Sequence, residues 1–337
     1  MPQSFAPAEP QDIAACSALL RGASRSFHAA ALLLPRRMRD PATALYAFCR
    51  QADDAVDLGA DPLAALQTLR ARLDAAYAGC PWPNPVDRAF AATVAVFAIP
   101  KSLPEALIEG LAWDAAARRY DDFAALCDYA ARVAGSVGVM MALILGVRNR
   151  PALARAADLG IAMQLTNIAR DVGEDACAGR LYLPLDWLAE VGLQPDNILQ
   201  APRPMPALAQ VVRRLLGEAD LLYAQARPGI AMLPWQARPG IGAAHRIYAA
   251  IGREVAKNGY DSVSQRARVT GQHKLRHAAG ATLGSFARCV NTAAATHPAN
   301  LFLISDAACE NALKPAGLTG LIMLFDRLER AQRGMTA

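Results

Sequence analysis

Two sets of oxygen-bearing side chains interrupt an otherwise apolar, alanine-rich chain. In Tyr46-Ala-Phe-Cys-Arg50-Gln-Ala-Asp53-Asp54-Ala-Val-Asp57, helical spacing puts Asp53 and Asp57 one turn apart on one face, with Arg50 a turn before them. In Gln164-Leu-Thr-Asn167-Ile-Ala-Arg170-Asp171-Val-Gly-Glu-Asp175, Asn167, Asp171 and Asp175 form one slowly drifting stripe. Like charges at this spacing destabilise a helix by about 0.2–0.5 kcal/mol. A divalent cation offsets that repulsion. Hard oxygen donors suit Mg²⁺, which takes few carboxylates, keeps waters and completes its octahedron with substrate phosphates. Each stripe alone is also what a solvated helix face looks like; two of them in apolar surroundings point to ligands. Arg50 and Arg170 lie within a turn of the acids and suit bidentate binding of a diphosphate. Arg25, in the polar break Gly22-Ala-Ser-Arg-Ser-Phe27, is placed to close over phosphate as a flap.

Such a constellation stabilises the charge that develops on a departing diphosphate. What remains is a carbocation, which needs a dry apolar cavity with π-faces. The small residues of Tyr129-Ala-Ala-Arg-Val133-Ala-Gly-Ser-Val137-Gly138 leave room for a long hydrocarbon chain; they equally suit close helix packing.

The elements that must position these groups are helices. Hydrophobic residues make up 54% of the 337, carried by Ala and Leu, and no run of short alternating strands occurs. Asp-Pro pairs predict helix starts at Asp40-Pro41 and Asp61-Pro62. Further helices are predicted over 104–118, 121–146, 151–175, 205–225, 239–259 and 316–333. Connections are expected at Pro81–Pro85, Arg203-Pro204 and Arg227-Pro228-Gly229. The pentapeptide Ala-Arg-Pro-Gly-Ile occurs at 226–230 and again at 237–241, too little for a repeat fold. The organisation expected is a disordered segment over 1–10 and one helical domain over 11–337.

Composition excludes several classes. Net charge is +5, with pI near 8.9, a diffuse excess that suits an anionic ligand or lipid surface but not nucleic acid. The seven cysteines are scattered without CxxC spacing and read as reduced core thiols. A spanning helix needs about 20 apolar residues, and the longest run here is Val137–Val147. Met1–Pro10 lacks the parts of a signal peptide, so a cytoplasmic location is expected.

The motifs resemble those of the head-to-head prenyl synthases, the squalene and phytoene synthases, and most closely the bacterial phytoene synthases. Tyr46 to Asp57 looks like their first aspartate-rich motif, and Gln164 to Asp175 followed by Gly179-Arg180-Leu-Tyr182-Leu-Pro184 looks like their second. Ser24-Arg-Ser-Phe27 and Val133–Gly138 match as well, so the similarity runs from about 17 to 268. The resemblance implies an all-α, single-domain isoprenoid-synthase bundle with a central apolar cavity. It implies condensation of two geranylgeranyl diphosphates through prephytoene diphosphate to phytoene, the first committed step of carotenoid biosynthesis.

Carried over by position, Asp53, Asp57, Asn167, Asp171 and Asp175 are expected to hold Mg²⁺, or Mn²⁺ in its place. Arg25, Arg50, Arg170, Tyr248 and Arg266 are expected to bind diphosphate, and Tyr46, Arg50, Tyr129 and Asp171 to act in catalysis. Phe27, Val133, Val137, Gln164 and Tyr182 are expected to line the cavity. No NADPH is expected for phytoene formation. Peripheral membrane contact is expected from the greasy product and basic pI, and transient contact with neighbouring carotenoid enzymes is expected too. Squalene or dehydrosqualene synthesis from farnesyl diphosphate is the alternative. A non-catalytic assembly factor would have lost the acidic stripes, and a terpene cyclase fits Arg50 and the Gly179–Pro184 tail less well. His273 and His277, beside Lys274 and Arg276, read as a basic helix and not a metal site.

Overall fold

The computed structural model describes residues 8–59, 61–269, 280–281 and 296–308, and every regular element among them is helical. The predicted helix over 316–333 and the His273–His277 segment lie outside the described residues, as does most of the 1–10 segment. Pro10 is already the first residue of α1 (Pro10–Ala23). Two long helices organise the rest, α3 (Arg36–Asp57) and α9 (Arg150–Cys177). The second is buried or half-buried at every position from Ala152 to Gly173, which places it at the centre. It packs against α8 (Ser136–Ile144), α12 (Pro206–Met232) and α13 (Arg238–Lys257). Around α3 gather α1, α4 (Pro62–Tyr77), α5 (Pro85–Val96) and α6 (Ser102–Ala115). Ion pairs to buried carboxylates fix this layer: Arg72 holds Asp87 at 2.6 Å and the Gln51 side chain at 2.9 Å, tying α4 and α5 to α3. Arg88 holds Asp12 at 2.6 Å, tying α5 to α1.

Local punctuation is overridden twice. Asp40-Pro41 does not open a helix: α3 begins at Arg36 with Pro35 at its N-cap, and Pro41 lies inside. Burial of Leu34 and Met38, together with an Arg36–Asp40 pair at 3.1 Å, keeps the preceding turn helical. Nor does Arg227-Pro228-Gly229 form a connection, since α12 runs through it to Met232. Gly229 sits where a Cβ would come within 2.3 Å of the Arg155 side chain on α9, so this glycine serves a helix crossing and not a turn. Asp61 does cap its helix, accepting from the amides of Leu63 and Ala64 at 3.0 Å.

The predicted helix over 121–146 is a continuous rod with a defect. α7 (Phe123–Ala130) passes into a π-turn at Ala131–Gly135 and on into α8. Such bulges recur at functional sites because they re-aim side chains. Phe123–Ile144 is long and apolar enough to cross a membrane, but it is 61% buried inside the protein and serves as a core helix. Its small residues let α9 approach: a Cβ on Gly138 would lie 2.3 Å from the Ala156 carbonyl oxygen, and one on Gly160 would lie 2.2 Å from that of Ala134. The packing role of this stretch is therefore direct.

Gly160→Ala is expected to destabilise the fold by about 1–3 kcal/mol, because backbone cannot yield as a flexible side chain can. A lowered urea midpoint with unchanged slope checks this; an unchanged midpoint contradicts the close crossing.

Candidate active site

Both acidic stripes fall at the C-terminal ends of their helices. α3 ends with Asp53, Asp54 and Asp57, and α9 with Asp171, Glu174 and Asp175. The ends are neighbours: Arg180, just past α9, holds Asp57 at 2.6 Å. Between the stripes sits Asp114 of α6, whose charge is felt by both Asp53 and Asp175. Its carboxylate accepts the Tyr129 hydroxyl at 2.8 Å and the Tyr182 hydroxyl at 2.7 Å.

Crowding acids in this way disfavours their charged forms. Desolvation, and then the neighbouring Asp57, pushes Asp53 up to about 6, although 44% of its side chain remains exposed. Burial and Asp171 push Asp175 up to about 7. Burial lifts Asp114 to about 6 against the opposing hydrogen bonds from the two tyrosines. Arginines answer the excess. Arg50 grips Asp54 with two nitrogens, at 2.5 and 3.1 Å, and reaches Asp53 at 3.3 Å. Asp171 is shared by Arg170, its chain neighbour, at 2.7 Å and by Arg266 at 3.0 Å. Arg266 also meets Glu174 at 3.0 Å. That last arginine arrives on an extended segment whose Ser262 carbonyl accepts the Gly173 amide at 3.0 Å. Gly173 is obligatory, since a Cβ there would lie 2.7 Å from the Val263 carbonyl oxygen.

Below the acids opens a cavity of about 310 Å³ walled almost wholly by apolar groups. Phe27, Val133, Val137 and Gln164, named above for the cavity, are in its wall; Tyr46 and Tyr248, named above for catalysis and for diphosphate, are there too, and Asn167 brings the second stripe to the wall. Phe27 stands between the two tyrosines, with ring centroids 5.7 Å from Tyr46 and 5.1 Å from Tyr248. Tyr182 is not in the wall. The left-handed Gly179, at φ 75°, ends α9 and turns the tail back. The Leu185 amide then docks on the Tyr120 carbonyl at 2.9 Å. Tyr182 is thereby stacked on Tyr129, centroids 5.2 Å apart, and committed to Asp114. Tyr129 belongs to the same buried aromatic group and also stands outside the cavity wall. Arg25 is the first residue of α2 (Arg25–Ala31), capped by the Ser24 hydroxyl.

Sequence reasoning missed Asp114 and left Arg180 without a role. The available signal for Asp114 was a carboxylate in the apolar run of α6. Its partners lie 15 and 68 residues away, beyond local pattern.

A profile of the squalene/phytoene synthase family matches residues 20–273. The chain is 48% identical to a phytoene synthase of Rhodobacter capsulatus over 332 residues, covering 96% of this chain and 98% of that one. The chain belongs to the squalene/phytoene synthase family. A second family member, a phytoene synthase of Cereibacter sphaeroides, is 50% identical over 312 residues, 88% of each chain. Among solved structures, a dehydrosqualene synthase in complex with ligand superposes with a TM-score of 0.75 at 29% identity, covering 81% of this chain and 96% of that one. A squalene synthase from Alicyclobacillus acidocaldarius gives 0.68 at 27% identity, covering 74% and 95%. These relatives establish the all-helical isoprenoid-synthase fold and, with the family, a metal-dependent prenyltransferase of carotenoid biosynthesis.

The donor set fits a hard cation. Among the described residues no three His, Cys, Asp or Glu side chains converge as a ready-made cage. Instead guanidinium groups occupy the positions beside Asp53, Asp57 and Asp171 where positive charge is needed. Ions that bind through one or two carboxylates each and share the rest of their shell with phosphate oxygens need no such cage.

Raised carboxyl values make the metal-free fold sensitive to alkali. Asp53, Asp114 and Asp175 have folded values of about 6, 6 and 7. The unfolded value is about 3.9, so the folded state binds more protons in between and stability falls as pH rises through that window. Melting temperature is expected to drop between about pH 4 and pH 7, and Mg²⁺ is expected to restore it more at the upper end. A flat profile without metal contradicts the crowding. Asp114→Asn, which keeps shape but removes charge, is expected to shrink the alkaline loss and lower kcat about tenfold, through weakened orientation of Tyr129 and Tyr182.

Proposed function

We propose that this enzyme joins two molecules of geranylgeranyl diphosphate head to head, by way of prephytoene diphosphate, to give phytoene, using Mg²⁺ and no nicotinamide. The observation that carries this reading is the placement of the two acidic helix ends at the mouth of a long cavity walled almost wholly by apolar groups. From Asn167 at the mouth to Ala152 at the far end, both in its wall, the cavity follows α9 for about 22 Å at the helical rise. That length suits an extended geranylgeranyl tail. The high identity to proteins named phytoene synthase supports the same substrate.

Asp53, Asp57, Asn167, Asp171 and Asp175 are the residues that would hold the ions. Bound there, Mg²⁺ supplies Lewis-acid stabilisation of the departing diphosphate. Arg50, Arg170 and Arg266 now grip carboxylates; the same planar forks match diphosphate oxygens once those carboxylates have other partners. Arg25 opens the short helix beside them, and Tyr248, buried against Phe27, feels the charge of Arg170. The walls around Phe27, Tyr46 and Tyr248 exclude water from the carbocation and offer it aromatic faces. Asp114 orients the hydroxyls of Tyr129 and Tyr182 at the rim.

The dehydrosqualene synthase likeness favours a second reading, the same chemistry on farnesyl diphosphate. The location we propose is cytoplasmic, with peripheral membrane contact for uptake and release of hydrocarbon and transient contact with neighbouring pathway enzymes.

Purified protein given Mg²⁺ and geranylgeranyl diphosphate is expected to form phytoene without NADPH, as read by mass analysis, and to turn over farnesyl diphosphate poorly. Preference for farnesyl diphosphate establishes the second reading instead. Asp53→Ala and Asp171→Ala are each expected to lower kcat by about 100-fold or more while leaving helix content intact. Near-normal turnover in either variant overturns the assignment of those ligands.

A further inference from the structure

α3 and α9 run in the same direction, with their acidic ends together at one pole and their starts together at the other. The starts meet in a single apolar cluster made by Leu34, Met38, Leu145, Val147, Ala152, Leu233 and Ala237. Three turns therefore share this second pole: 32–40 before and into α3, 146–150 before α9, and 233–238 between α12 and α13. Together they carry six arginines against the single carboxylate of Asp40. Helix starts ordinarily favour acids, and each cation placed there opposes the helix dipole by about 0.3–1 kcal/mol. Arg36 and Arg37 open α3 and Arg150 opens α9 against that preference.

The same turns push large apolar groups into solvent. Trp235 is 68% exposed and Leu32 is 57% exposed. Immediately behind them Leu34, Leu145, Leu233 and Ile241 form the far end of the cavity. An exposed tryptophan and leucine on turns that carry six arginines match the interface of a bilayer, where the rings sit at headgroup level and cations meet anionic lipid.

We propose that this pole docks on an anionic lipid bilayer, with Trp235 and Leu32 inserted and Arg36, Arg37, Arg39 and Arg150 on the headgroups, so that the far end of the cavity faces the hydrocarbon. The proposal rests on the membrane contact put forward above and assigns it a place. That place is opposite the diphosphate site, which leaves the acidic mouth free in water. A docked acidic mouth would be repelled by the same lipid.

The test is flotation of the full-length protein with phosphatidylcholine vesicles and with vesicles in which part of the lipid is phosphatidylglycerol. The wild type is expected to float with the anionic vesicles and to be released by salt. Each arginine near such a surface raises partitioning about fivefold, so Arg37→Glu with Arg150→Glu is expected to lower it at least tenfold. Trp235→Ser with Leu32→Ser is expected to weaken flotation comparably and to leave less of it at high salt. Turnover of substrate presented in detergent is expected to be unchanged in both double variants, because none of the four residues touches the diphosphate site. If the wild type floats with neither vesicle, the membrane contact itself is refuted. If it floats and both variants float equally well, contact stands and its placement at this pole is refuted. Equal binding to neutral and anionic vesicles refutes the role of the arginines.

Discussion

The rest of this structure depends on negative charge confined at two helix ends. α3 and α9 terminate side by side, and their own partial negative charges add to those of Asp53, Asp57, Asp171 and Asp175. Burial of the surrounding surface then lowers the screening that would relieve the repulsion. Such an arrangement is stable only with cations present. The protein supplies a provisional set, Arg50, Arg170, Arg180 and Arg266, each held by carboxylates. Guanidinium groups are weakly hydrated and readily exchange one planar oxygen pair for another. On the reading proposed above these arginines match a diphosphate, and Asp57 and Asp171, which hold Arg180, Arg170 and Arg266, are among the acids proposed for the metal ions.

The cavity beneath is a product of close crossing elsewhere. Gly138 and Gly160 bring α8 and α9 together until backbone meets backbone, and Gly229 lets α12 approach α9 at Arg155. Residues at these crossings are small, while Phe27, Tyr46 and Tyr248 bring aromatic rings to the cavity wall. The π-turn at Ala131–Gly135 contributes by letting Val133 and Val137 both face the cavity, while Tyr129, before the turn, faces Asp114. One rod therefore serves the hydrocarbon wall and the acidic rim.

The acidic stripes were legible in the sequence because their spacing equals the helical turn, and that pattern survives whatever the tertiary context. Val133 and Val137 were named for the cavity through the family resemblance, since small residues at their spacing suit close helix packing equally well. Asp114 was not legible, since its meaning arises only when α6 is laid between α3 and α9. Tyr182 was misassigned to the cavity wall because nothing local tells how far the Gly179 turn folds back. Prolines misled at Pro41 and Pro228 because both were read as punctuation. In α3 the buried Leu34 and Met38 outweigh the local signal, and in α12 the demand for Gly229 at a crossing does so.

Charge along the two long helices runs against their dipoles at both ends, with arginines at the starts and aspartates at the finishes. A surface helix under no functional demand places these the other way round, since either reversal weakens it. Two helices carrying the same double reversal, in the same direction, are hard to attribute to stability. Local rules are broken where a ligand makes good the loss. At the acidic finishes the ligand proposed above is cationic and would serve the departing diphosphate. The basic starts call by the same reasoning for an anionic counterpart, and the exposed Trp235 and Leu32 beside them demand one that also accepts apolar groups. A bilayer with anionic headgroups would meet both conditions, and under the docking proposed above the cavity would lead from lipid at one pole to water at the other.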